Sequence, residues 1–135
     1  MLGQPAPAGA EEAEKTARDF VRRGMPVTVI DRLAEAFRTS ASEVQRIIGV
    51  SRATGTRRRT SKAPLRREAS DRAFRMASVY TLAANVFEDT QSAREWFKEP
   101  NRALQGERPL DLLDTDVGTQ QVVRILNRIE YGVYS

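Results

Sequence analysis

The sequence predicts an all-α fold. Apolar residues recur at the i, i+3, i+4, i+7 spacing of a buried helical stripe, and Ser, Asp, Gly and Pro punctuate those stripes where helices start and stop. No segment alternates apolar and polar residues with the β-branched enrichment of a strand, and no internal repeat is visible. At 135 residues the chain suffices for one substantial core, or for two small domains that share one.

The first helix spans Glu11 to Arg23, with Ala13, Ala17, Phe20 and Val21 on one face and Gly24 as the C′ residue that ends it. Pro26 suits the opening turn of a second, whose buried stripe is Ile30, Leu33, Ala34 and Phe37. Ser40 and Glu43 have the spacing of a reciprocal capping box, so a short third helix turns Val44, Ile47 and Ile48 inward and stops at Gly49. Ser51 caps a fourth. Ser61 to Arg67, with Pro64 and little apolar content, reads as a linker. Ser70 then caps a long helix carrying Met76, Val79, Tyr80, Ala83, Val86 and Phe87 at helical spacing. Asp89 caps a helix through Lys98 that Pro100 breaks, and Pro109 opens a short turn through Leu113. Thr115 or Asp116 starts the last helix, in which Val122, Ile125, Leu126 and Ile129 form the stripe and Gly132 the stop.

Composition narrows the chemistry. Hydrophobic residues make up 40%, charged residues 30%, and the net charge is +4, as expected of a soluble, cytoplasmic protein. No run approaches the roughly 18 apolar residues of a membrane span. Met1 to Ala10 lacks a basic n-region and an apolar h-region, so residues 1–10 are expected to be a disordered leader. There is no Cys and no His, which removes the thiolate nucleophile, the commonest general base and the commonest metal ligands. No catalytic residue, metal or cofactor is assigned, and an enzyme is the least favoured reading.

Charge is unevenly placed. Residues 51–75 hold nine Lys and Arg against Glu68 and Asp71, a net +7. Such a field attracts polyanions, although a solvated basic loop is the alternative. Residues 42–60, SEVQRIIGVSRATGTRRRT, have the layout of a helix-turn-helix, with Gly49 permitting the turn's positive φ. Ser51, Arg52, Ala53, Thr56 and Arg57 are then expected to face the major groove, Arg52 and Arg57 being able to read guanine. Arg58, Arg59, Lys62, Arg66 and Arg67 are placed to hold phosphates. Two residues depart from the motif: Gln45 stands where a small residue is usual, and Gly55 where an apolar side chain packs. Replacing Gly55 by Ala is expected to stabilise the helix by about 0.5–1 kcal/mol.

The string WFKEPNRALQGERPLDLL (Trp96 to Leu113), followed by Thr115, Gly118 and the ending RILNRIEYGVYS, resembles the toxin-binding domain of the MbcA/ParS/Xre antitoxin family. Upstream, GMPVTVIDRLAEAF and IIGVSRATGTRRR resemble that family's Xre-type helix-turn-helix, so the resemblance runs from about Gly24 to Ser135. It implies an Xre-like helix-turn-helix bundle over 11–67, with the basic linker, and a helical dimerisation and toxin-binding domain over 68–135. It also implies a RES-type, NAD-degrading toxin as partner, a homodimeric antitoxin, and repression of its own operon through operator DNA. The toxin-binding residues so expected are Trp96, Asn101, Leu110, Arg128, Glu130, Tyr131, Tyr134 and Ser135. Ile129, Tyr131, Val133 and Tyr134 crowd the end of the sequence, where fraying favours polar residues, so they call for a surface to bury against. A tail folded back on its own domain is the alternative. As a whole, the chief competing function is a helix-turn-helix regulator without a toxin partner.

Overall fold

The computed structural model describes residues 9–132, and of Arg59 only the backbone. Residues 1–8 of the expected leader, and Val133, Tyr134 and Ser135, lie outside the described residues. The elements are α1 (Ala10–Arg23), α2 (Val29–Phe37), α3 (Ala41–Ile48), α4 (Arg52–Ser61), α5 (Arg67–Phe87), α6 (Thr90–Lys98), a short 3-10 turn (Arg102–Leu104), a longer one (Pro109–Asp114) and α7 (Asp116–Glu130). There is no strand among the described residues.

Local capping sets most of these boundaries. Ser40 Oγ accepts from Glu43 N at 3.1 Å and Ser51 Oγ accepts from Thr54 N at 3.1 Å. The carboxylate of Asp89 takes the amides of Gln91 and Ser92. Thr115 is the cap of α7, with its hydroxyl accepting from Gly118 N at 2.9 Å, and Asp116 is the first helical residue. Each such bond satisfies an amide that a helix start leaves without a partner. α3 ends on Gly49 at φ 77°, a conformation a Cβ disfavours.

Three boundary expectations are corrected. Ser70 does not cap α5, which begins three residues earlier at Arg67. Its fully buried hydroxyl accepts from Met25 N at 2.8 Å and donates to Leu65 O, tying the α1–α2 turn to the start of α5. The linker is not merely polar: Leu65 is core, 3% exposed, and its amide bonds Met25 O. The capping box at α3 is half made, because the Glu43 carboxylate accepts from Arg108 instead.

α5 organises the packing. Its buried residues Ala69, Ser70, Ala73, Met76, Val79 and Ala83 run along most of its length. On that stripe lie α1, α2 and α3 from the first half and α6, α7 and the Pro109–Asp114 turn from the second. Tyr80, Val86 and Phe87 are partly buried against the same core. Phe37 of α2 meets Tyr80 and Phe97 edge-on at centroid distances of 5.3 and 4.9 Å, and Trp96 continues the chain of rings to Phe87. α6 also supplies cations to the C-terminal carbonyls of α2: Arg94 donates to Ala36 O and Lys98 to Arg38 O.

An ionic clasp joins α3 to the Pro109–Asp114 turn. Arg108 grips Asp111 side-on, through Nε at 2.9 Å and Nη2 at 2.8 Å, and also donates to Glu43 at 2.6 Å. Arg46 of α3 adds a bond to Asp111 at 2.9 Å. The hydrogen bonds from Arg108, then its charge and that of Arg46, hold the Asp111 carboxyl below its usual range. A carboxyl whose native pKa lies below its unfolded value, near 3.9, stabilises fully above that value and loses the contribution as pH falls through the native one. Asp111→Asn should therefore cost about 1–2 kcal/mol at neutral pH and flatten the decline of the melting temperature below about pH 4. Parallel acid profiles for the two proteins would contradict this.

Candidate functional site

The turn at Gly49 and Val50 sets α4 across α3 with one face open. Ser51, Arg52, Ala53, Thr56, Arg57 and Thr60 are all exposed, and their spacing puts them on one side of the helix. Lys62, Arg66 and Arg67 are exposed beyond its end. These are the side chains the sequence singled out for groove and phosphate contact. Arg58 stands apart: it is half-buried and donates to Pro64 O, folding back over the linker instead of projecting. The Arg59 side chain lies outside the described residues.

The two departures from the motif fit each other. Gly55 is buried, and a Cβ placed there would lie 2.1 Å from Nε2 of Gln45, itself only 6% exposed. The long amide on α3 occupies the space an apolar side chain on α4 normally fills. This corrects the expectation that Gly55→Ala stabilises through helix propensity alone, because the new methyl displaces a buried amide.

The second candidate surface is the outer side of the C-terminal half. Val117, Arg124, Arg128 and Tyr131 follow the spacing i, i+7, i+11, i+14 and are exposed, Val117 by 71% and Tyr131 by 75%. Glu130 is exposed beside them. The opposite face of α7, Val122, Ile125 and Leu126, is buried, so the apolar residues at the ends of the open face are not serving the core. Val117 was not singled out by sequence; its signal was its position off the Val122–Ile129 stripe. Tyr134 and Ser135 lie outside the described residues.

Other expected contact residues support this surface. Leu110 is fully buried and props the turn from beneath, which corrects its expected role as a contact. Trp96 is half-buried between Phe87 and Phe97. Asn101 closes its loop: its Oδ1 accepts from Ala103 N, its amide donates to Glu107 O, and its carbonyl accepts from Leu104 and Gly106. Gly118 permits the junction, since a Cβ there would lie 2.1 Å from Leu112 O. Among the described residues no helix is long and apolar enough to cross a membrane.

Residues 16–78 match a family model described as the antitoxin Xre-like helix-turn-helix domain, and residues 82–132 one described as the antitoxin Xre/MbcA/ParS C-terminal toxin-binding domain. The seam between the matches falls within α5. The chain is 30% identical over 117 residues to an antitoxin Xre of Photorhabdus laumondii, covering 86% of this chain and 79% of the relative. It is likewise 30% identical over 135 residues to an antitoxin Xre of Yersinia enterocolitica, covering 99% of this chain and 88% of that one. The fold is similar to a chain of the M. tuberculosis MbcT–MbcA toxin–antitoxin complex, with a TM-score of 0.61, 24% identity, and coverage of 81% of this chain and 96% of the other.

Coupling between Gln45 and Gly55 is measurable by a double-mutant cycle. Gly55→Ala in a Gln45→Ala background should gain about 1 kcal/mol from helix propensity, whereas in the parent chain the gain should shrink or reverse. Thermal melts of the four proteins give the coupling, and additivity within about 0.3 kcal/mol would refute the contact.

Proposed function

Because the chain belongs to the Xre/MbcA/ParS antitoxin family, with a helix-turn-helix domain followed by a toxin-binding domain, we propose that it neutralises a cognate RES-type, NAD-degrading toxin and represses its own operon. The observation that carries the first part is the exposed face of α7 from Val117 to Tyr131, two unburied apolar side chains bracketing Arg124 and Arg128. Arg128, Glu130 and Tyr131, continued by Tyr134 and Ser135, enter or cover the toxin's substrate site, while Trp96, Asn101 and Leu110 hold that surface in shape. Inhibition is by occlusion, with no catalytic step of the chain's own. The choice of a RES toxin rests on the similarity of the Trp96–Leu113 string and the RIEYGVYS ending to that family.

DNA binding is proposed for residues 11–67. Ser51, Arg52, Thr56 and Arg57 meet the bases, Arg59 and Lys62 the phosphates, and Arg58 acts through the linker that it pins. Residues 68–135 carry the toxin, and the protein works in the cytoplasm as a homodimer on a two-fold operator.

Two measurements test these assignments. Arg52→Ala should relax specificity at one base position by about 1–3 kcal/mol. Arg57→Ala should weaken operator binding with folding intact, whereas Arg58→Ala should lower the melting temperature as well. Unaltered binding by all three variants contradicts the DNA surface. For the toxin, the readout is NAD consumption by the protein encoded beside this chain, titrated with full-length chain and with a chain ending at Glu130. Each Tyr ring buried in a complex removes about 150–250 Å² from water, worth several kcal/mol at about 25 cal/mol per Å² before the ordering cost. The shortened chain should fold and lose inhibition by about 100-fold or more. A folded, shortened chain that inhibits at stoichiometric ratio excludes occlusion by this segment, and no binding by either chain favours a regulator without a toxin.

A further inference from the structure

α1 is an amphipathic helix whose apolar stripe finds no core. Ala13, Ala17, Phe20 and Val21 share a face, yet no residue of α1 is buried. Phe20 remains 40% exposed, and Phe74 of α5 remains 39% exposed. Between the two helices run a groove of about 740 Å³ and a second of about 610 Å³, and Ala13, Ala17 and Phe74 line both. A helix of 14 residues is marginal in water unless an apolar face is packed, and two Phe side chains beside open grooves ask for a covering surface.

The charges on α1 identify the cover. Glu11 and Glu12 stand in the first turn, Arg22 and Arg23 in the last. Among the described residues none of these four has an ion-pair partner within the chain. If two copies set their α1 helices antiparallel about a two-fold axis at Ala17, Glu11 meets the partner's Arg23 and Glu12 meets the partner's Arg22. Lys15 then meets the partner's Asp19, and Ala13 the partner's Val21. Self-complementarity of this kind is what an isologous interface requires, and a foreign acidic or basic surface would match only one end of the helix. We infer that the α1–α5 face, centred on Ala17, Phe20 and Phe74, is where two copies of this chain associate. The inference rests on the homodimer proposed above and moves its contact to α1 and the first turns of α5, leaving α7 free for the toxin.

Sedimentation of the full chain, with and without the toxin, tests both layers. The parent chain should sediment as a dimer, and Phe20→Glu and Phe74→Glu should each weaken association by about tenfold or more while keeping the helical spectrum and toxin binding. Glu12→Arg, a surface change that spares the fold, should weaken it too, and the swap Glu12→Arg with Arg22→Glu should restore it. Because the chain has no Cys, Ala17→Cys offers a single thiol per copy, which an added oxidant should join to its symmetry mate as a disulfide within the folded dimer. A monomeric parent chain overturns the homodimer reading and this surface with it. A dimeric parent whose Phe20→Glu and Glu12→Arg variants also stay dimeric overturns this surface alone. Loss of toxin binding in those variants with the dimer intact assigns the face to the toxin and likewise overturns it.

Discussion

Everything in the molecule depends on α5 burying one stripe along most of its length. Ala69, Ala73 and Met76 face the helices that precede it, and Val79 and Ala83 carry the stripe toward those that follow. The small residues let neighbouring helices approach closely, while Met76 fills the irregular space that remains. One consequence is that the helix-turn-helix and the C-terminal half have no separate cores. Phe37 makes the point: it belongs to α2, yet its ring sits between Tyr80 of α5 and Phe97 of α6.

With the core shared, function falls to the faces left over. α4 touches the body lightly and holds its Arg52 and Arg57 side open, which suits an element that must enter a groove. α7 is anchored through Val122, Ile125 and Leu126 and leaves its other side to Val117, Arg124, Arg128 and Tyr131. The clasp of Glu43, Arg46, Arg108 and Asp111 adds a polar link at the periphery of the same seam. Several of its charges share partners, so ordering one side chain lowers the entropy cost of ordering the next. α1 contributes least to the core.

The helices and most caps were legible because their causes are local. Ser40, Ser51, Asp89 and Thr115 act on amides two or three residues away, which spacing alone reveals. Ser70 misled because its partners are Met25 and Leu65, one of them forty-five residues distant, and the same hydroxyl that could start a helix serves instead inside one. Glu43 misled likewise, since Arg108 outcompetes a backbone amide for a carboxylate. Gln45 and Gly55 were visible as two oddities, but only three dimensions show one filling the other's space. Leu110 stood out as part of a motif, and burial shows that it serves the motif's shape. The exposure of Val117 was implicit in its helical phase, and that of Phe20 was not, because α1 carries a stripe that looks like any core-facing one.

The central claim is that α5 makes both halves one cooperative unit, and native-state hydrogen exchange tests it residue by residue. The slowest amides of α2, α5 and α7 should open with the same free energy and the same denaturant dependence, that of global unfolding. Protection that persists in α7 while α2 and α3 exchange through a much cheaper opening would mean two cores joined by a helix, and would contradict the account.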